Sequence, residues 1–176
     1  MNLPHKIVEL HRALAAASIP HAFGGALALA WCTQRARGTI DIDLNLFVAP
    51  DRAERVLETL PDAVSWNQDD VARIERDGQV RLWWDTTPVD VFFSTTDFHE
   101  HAATRTRSEP FLDAELPFLA CRDLAVFKAF FNRTKDWADL EEMSAAGALD
   151  VEAALGVLVR YLGGSDERVE RLRALA

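Results

Sequence analysis

Residues 37–47 of the chain read RGTIDIDLNLF, and the alternation within them decides the fold. Side chains along a strand alternate between faces, so Ile40, Ile42 and Leu44 fall on one side and Asp41 and Asp43 on the other. The stretch therefore predicts a half-buried strand. A wet strand face carries polar residues for no further reason, but two carboxylates about 7 Å apart repel each other unless a cation lies between them. Magnesium suits that gap, because it is a hard ion that takes one or two carboxylates and completes its shell with water and phosphate oxygens.

The segments on either side extend the pattern. HAFGGALALAWCTQ, residues 21–34, predicts a short strand, a turn at Gly24-Gly25 and a small-residue helix over about 26–32. A helix opened by such a turn offers backbone N–H groups and a positive end to phosphate oxygens. Downstream, PVDVFFS predicts a strand in which Asp90 sits among Val89, Val91, Phe92 and Phe93. A carboxylate in so apolar a setting needs a partner or an ion. QVRLWW, after the Asp77-Gly78 turn, predicts the neighbouring strand, and the short DTTP link makes the two a hairpin. Three carboxylates on adjacent strands beside a phosphate-binding turn form the pattern of a two-metal nucleotidyl-transfer site.

Elsewhere the chain predicts helices. Ile7, Leu10, Leu14 and Ala17 place one over residues 5–17, stopped before Pro20. DRAERVLETL predicts another, with Asp51 as its cap. From about Pro117 three helical segments follow without strands, the last two parted by Gly163-Gly164. Lys128, Asn132, Lys135 and Asp139 form one polar stripe if the first of these segments is a single helix. HAATRTRSEPF has no period and reads as a mobile loop near the sheet edge. His99 and His101 read as exposed residues of a polar loop, and Trp83-Trp84 as sheet core on one side. We expect a core over residues 1–115 and a helical region over 116–176 packed on it.

Composition narrows the function. The net charge of −9 disfavours indiscriminate adhesion to nucleic acid, which needs surplus Lys and Arg. No apolar run approaches the roughly 18 residues that span a bilayer, so no membrane association is expected. Cys32 and Cys121 lack CxxC spacing and read as separate thiols suited to a reducing cytoplasm.

GGALALAWCTQRARGTIDIDLNLF followed by PVDVFF resembles the nucleotidyltransferase fold of the DNA polymerase β superfamily. Arg37, Thr39, Asp41 and Asp43 together are similar to the motif of the AbiEii-type nucleotidyltransferase toxins and their relatives, as is RDLAVFKAFFNRTKDWADLEEM. The resemblance spans about residues 20–145. It implies an α/β (α+β) fold with a mixed sheet of four or five strands, and transfer of an NMP from an NTP such as ATP to a hydroxyl acceptor. Two Mg²⁺ ions would be held by Asp41, Asp43 and Asp90, and the nucleotide by Gly24, Gly25, Arg37, Thr39 and Lys128. Asp136 would act as a base or an orienting group. The acceptor would be an RNA or tRNA end in a toxin–antitoxin role, with a partner protein, or a small antibiotic-like molecule. A non-catalytic relative that binds nucleotide or a partner through the same cleft is the alternative outside enzymes. Gly25 departs from the serine of many superfamily members and removes a hydroxyl contact to the triphosphate.

Overall fold

In the computed structural model, which describes residues 1–176, the RGTIDIDLNLF stretch lies at the centre of one mixed sheet. The strands are β1 (His21–Phe23), β2 (Ile42–Leu46), β3 (Val64–Ser65), β4 (Gln79–Trp84), β5 (Thr87–Phe93), β6 (Arg107–Phe111) and β7 (Ala114–Phe118), in the order β3-β4-β5-β2-β1-β7-β6. β2 runs parallel to β5, and β1 parallel to β7; the other pairings are antiparallel. The fold is α/β, and its seven strands exceed the four or five expected.

The alternation in β2 and β5 gives the sheet one apolar face and one polar face. Ile42, Leu44 and Leu46 join Val89, Val91 and Phe93 beneath α1 (Leu3–Ala16), α3 (Ala53–Leu57) and α4 (Gln68–Asp77). The opposite face, which carries Asp43, Asn45, Asp90 and Phe92, lies under α2 (Gly25–Thr33) and α6 (Cys121–Phe131). Around these helices α5 (Asp97–Ala103), α7 (Thr134–Ala145), α8 (Val151–Leu162) and α9 (Glu167–Arg173) share a second buried cluster. One sheet thus devotes one face to stability and the other to a polar site.

Several expectations are corrected. Ile40 is 82% exposed, because β2 starts at Ile42 and the residues before it form a turn. Asp51 caps nothing; it lies within a single 3-10 turn, Pro50–Arg52, that precedes α3. The HAATRTRSEPF segment is not a loop but the end of α5 and the edge strand β6, and His99 and His101 belong to α5. Asn132 adopts φ 56° and breaks the long helix into α6 and α7, so the expected polar stripe does not exist. Trp84 is buried and Trp83 exposed, as the alternation requires.

Cys32 and Cys121, expected as separate thiols, form a disulfide. They lie 89 residues apart, and the packing of α2 against the start of α6 brings their Cα atoms to 5.6 Å. No helix is long and apolar enough to cross a membrane.

Lys6, inside α1, is 3% exposed and fastens that helix to the β4–β5 turn. Its Nζ donates to the Trp84 carbonyl at 2.8 Å, to Thr87 Oγ1 at 3.0 Å and to Asp85 Oδ2 at 3.1 Å. Lys6→Met leaves the buried carbonyl without its donor, an expected loss of about 1–3 kcal/mol of unfolding free energy in urea titration. The exposed pair on the same helix offers a contrast: Arg12→Ala, which removes only the bond to Asp113, should change stability by less than about 1 kcal/mol.

Candidate active site

β2 and β5 run side by side with Asp43 opposite Asp90, so two carboxylates face the same side from adjacent parallel strands. Asp41 precedes β2 and is held by a local turn, in which the Thr39 hydroxyl bonds Asp41 Oδ1 at 2.6 Å. Asp90 is engaged by Arg81, its partner across the β4–β5 hairpin: Nε and Nη2 each reach a different carboxylate oxygen at 2.7 Å. Asp43 has no such donor. Burial, then the charges of Asp41 and Asp90, push its carboxyl up from 3.8 to about 6, with Lys128 and Lys135 offsetting part of the shift.

The Gly24-Gly25 turn lies directly against this group. Gly25 has φ 52°, and a Cβ there would stand 1.8 Å from Asp43 Oδ2. Asp43 occupies the space that a side chain at position 25 would need, so the absence of serine follows from geometry as well as from backbone conformation. At Gly24 a Cβ would meet Asn45 Nδ2 at 2.8 Å, and the Gly24 amide donates to the Asp43 carbonyl at 2.9 Å. The first turn of α2 is thereby pinned to β2.

The opposite wall comes from the broken helix. Lys128 and Asp139 are eleven residues apart, about 16 Å along a straight helix, yet Lys128 Nζ donates to Asp139 Oδ2 at 2.6 Å because the chain folds back at Asn132. Arg37 pairs with the other oxygen of Asp139 and approaches Glu142 at 3.4 Å. Asp136 is 1% exposed, accepts from Arg133 Nε at 2.6 Å and lies 4.0 Å from Lys128 Nζ. Its oxygens are occupied, so the geometry gives it the role of holding Arg133 and Lys128 rather than of a free base.

Gly25, Arg37, Thr39, Asp41, Asp43, Lys128 and Asp136 thus line one cleft of about 380 Å³, with Gly24 behind the turn. Asp90 opens into the adjoining space with Arg81 and Arg133. No three carboxylate, histidine or cysteine side chains converge on a common point as they stand, because Asp90 is held by Arg81 and Asp41 by Thr39. The residues with oxygens to offer a hard cation are Asp43 and Asp41. Arg81 and Asn45 escaped the sequence reading. Arg81 was recoverable: a hairpin with Trp84 opposite Thr87 puts Arg81 opposite Asp90 on counting back along both strands.

No protein-family model matches the sequence, and no curated protein is similar to it. Solved structures do match. A solution structure of the antibiotic-resistance factor ANT(2'')-Ia superposes with a TM-score of 0.57 at 14% identity, over 97% of this chain and 89% of that one. A crystal structure of ANT(2'')-Ia in complex with adenylyl-2''-tobramycin gives a TM-score of 0.52 at 14% identity, over 97% and 94%. An antigenic nucleotidyltransferase-like protein from Paracoccidioides brasiliensis gives 0.52 at 12% identity, over 97% and 85%.

The raised Asp43 carboxyl makes a signed prediction. The folded protein binds that proton more tightly than the unfolded chain, so the stability it contributes is complete below about pH 4 and lost as pH rises through about 6. Asp43→Asn in divalent-free buffer should therefore stabilise the fold near neutral pH, by at most about 3 kcal/mol, and give no gain at pH below 4. Urea titrations at the two pH values check it. Superposition over nearly the whole chain shows that the protein has a nucleotidyltransferase-like fold.

Proposed function

We propose that the protein transfers an NMP from an NTP to the hydroxyl of a small acceptor molecule, in a reaction that depends on divalent cations. The observation that carries this reading is the Asp43–Asp90 pair on adjacent parallel strands, set against the Gly24-Gly25 turn and facing Lys128. A partly buried carboxylate with no donor and two negative neighbours has the chemistry of a cation ligand. Mg²⁺ held by Asp43 and Asp41, joined by Asp90 once Arg81 releases it, would neutralise phosphate charge and stabilise the attacking and leaving oxygens.

The protein's own groups divide the remaining work. Amides of the α2 turn and Lys128 bind the triphosphate. Arg37 and Thr39 shape the mouth of the cleft, and Asp136 fixes Arg133 beside it. The acceptor oxygen bonds to the α-phosphorus, the bond from that phosphorus to the bridging oxygen breaks, and pyrophosphate leaves. Asp90 takes the hydroxyl proton and passes it to solvent.

The charge pattern favours a small acceptor over RNA, the acceptor that the toxin-like motif implies. Of the four basic residues lining the nucleotide cleft, Arg37 and Arg133 are tied to carboxylates and Lys128 is buried, within reach only of a group inside the cleft, which leaves Lys135 alone without an ion pair on the surface. Such a surface offers little to a phosphate backbone. The solved relative with adenylyl-2''-tobramycin bound also carries a small acceptor.

Incubation of the protein with each labelled NTP, Mg²⁺ and either tRNA or a panel of hydroxylated small molecules tests this. Labelled product and pyrophosphate are expected only with the small molecules, and only when Asp43 is intact. Gly25→Ser, which must displace the Asp43 carboxylate, should lower the transfer rate at least about 100-fold. Lys128→Ala should weaken MgATP binding at least about tenfold in calorimetry, through the lost charge-assisted contact and the charge of Asp139 left stranded beside it. Label on tRNA would overturn the choice of acceptor, and transfer by Asp43→Asn would overturn the site.

A further inference from the structure

Beside Asp90 the structure opens into a second, separate cavity of about 260 Å³. Asp90 and Phe92 lie two residues apart on β5, on one face, and Phe92 is a wall shared by the site and this cavity. Phe127 and Phe131, on the helix that carries Lys128, are shared walls as well, and Asp77 and Gln79 border both this cavity and the space beside Asp90. Beyond them Phe98, Phe130 and Tyr161 complete a lining of aromatic rings. The rings pack tilted or edge to face: Phe92 with Phe131 at 5.5 Å, Phe98 with Phe127 at 5.2 Å, and Phe130 with Tyr161 at 6.0 Å between centroids. A ring entering the cavity would meet faces and edges able to form pairs of the same kind.

Charge is nearly absent from the lining. Asp77 is its one acidic side chain, and both of its oxygens are held by Arg76, at 2.9 and 2.6 Å. His99 bonds the Thr96 hydroxyl at 2.9 Å, and burial holds its imidazole below the ordinary histidine range, so it is neutral at neutral pH. A cationic amino compound would lose its hydration here and meet one carboxylate, Asp77, already paired with Arg76. An apolar cavity of about 150 Å³ takes benzene, so the volume present suits one or two fused rings.

We infer that this cavity is the acceptor subsite, and that the acceptor is a flat, uncharged aromatic compound bearing a hydroxyl group that projects past Phe92 to Asp90. The inference rests on the nucleotidyl-transfer reading above and names the substrate class of that site. The rings would seat the aromatic body, Gln79 and Thr95 at the cavity wall would meet polar substituents, and the hydroxyl oxygen would attack the α-phosphorus with loss of pyrophosphate. The product is the aromatic alcohol's adenylyl ester when the nucleotide is ATP.

Fluorine NMR on the full chain tests this with fluorobenzyl alcohol and fluoronaphthylmethanol as probes and glucosamine as the charged comparison, while MgATP binding is measured separately by calorimetry. Both aromatic probes should bind with dissociation constants in the submillimolar range, bind undiminished when MgATP is present, and become labelled in the transfer assay; glucosamine should not bind. Phe130→Ala and Tyr161→Ala should each weaken probe binding about tenfold, as expected for removal of a ring contact, with MgATP affinity unchanged. MgATP binding without probe binding overturns the acceptor class and leaves nucleotidyl transfer standing. Displacement of the probes by MgATP shows that the cavity holds the nucleobase and likewise overturns it. Probe binding without any MgATP binding sinks the nucleotidyl-transfer reading, and with it the assignment of the cavity to an acceptor. The wild-type measurements decide these outcomes even if a variant fails to fold.

Discussion

The Asp43 carboxylate, pressed against Gly25 and faced by Asp41 and Asp90, is the constraint on which the rest of the polar face depends. The parallel register of β2 and β5 forces two negative groups together where burial already disfavours charge. Counter-charges are arranged around the resulting field. Arg81 reaches Asp90 from the next strand, and Lys128 is brought in by a helix that must break at Asn132 to let Asp139 hold it.

These pairs differ in permanence. Lys128, Asp136 and Asp139 are each less than a tenth exposed, and removing one member would strand an uncompensated buried charge. Arg81 has a half-exposed side chain, so its bond to Asp90 competes with water and contributes little to stability. The site therefore has a fixed cationic wall and an exchangeable one. Release of Asp90 costs little, whereas any shift of Lys128 would disturb the packing of α6 on α7.

Local pattern revealed what local pattern builds. The alternation in β2 and β5, the glycine turn and the helical periods after Pro117 are short-range signals, and the structure honours them. The failures are equally physical. α4 has only Val71 and Ile74 buried, so its apolar stripe is too thin to read, although Asn67 and Asp70 form a capping box at its start. β6 buries no residue and survives by pairing with β7, a property of the partner rather than of its own sequence. The break at Asn132 left a plausible helical stripe intact on paper. Asn tolerates the left-handed region better than most residues, and its side chain accepts from Trp137 Nε1 at 2.7 Å, which holds the turn. The disulfide depends on α2 meeting α6, which no spacing within 89 residues encodes.

The Cys32–Cys121 bond also changes the topology of the molecule. It closes a covalent ring that contains every strand from β2 to β7, and with them Asp43, Asp90 and Arg81; α1, β1 and most of α2 hang from it as one tail, and α6 with the helices after it as the other. A single backbone cut anywhere inside that ring leaves one molecule, while a cut in either tail releases a fragment from the covalent assembly. The strands that carry the paired carboxylates are tethered to one another twice, once along the chain and once across the bridge, so their separation in the unfolded state is bounded in a way that the tails escape.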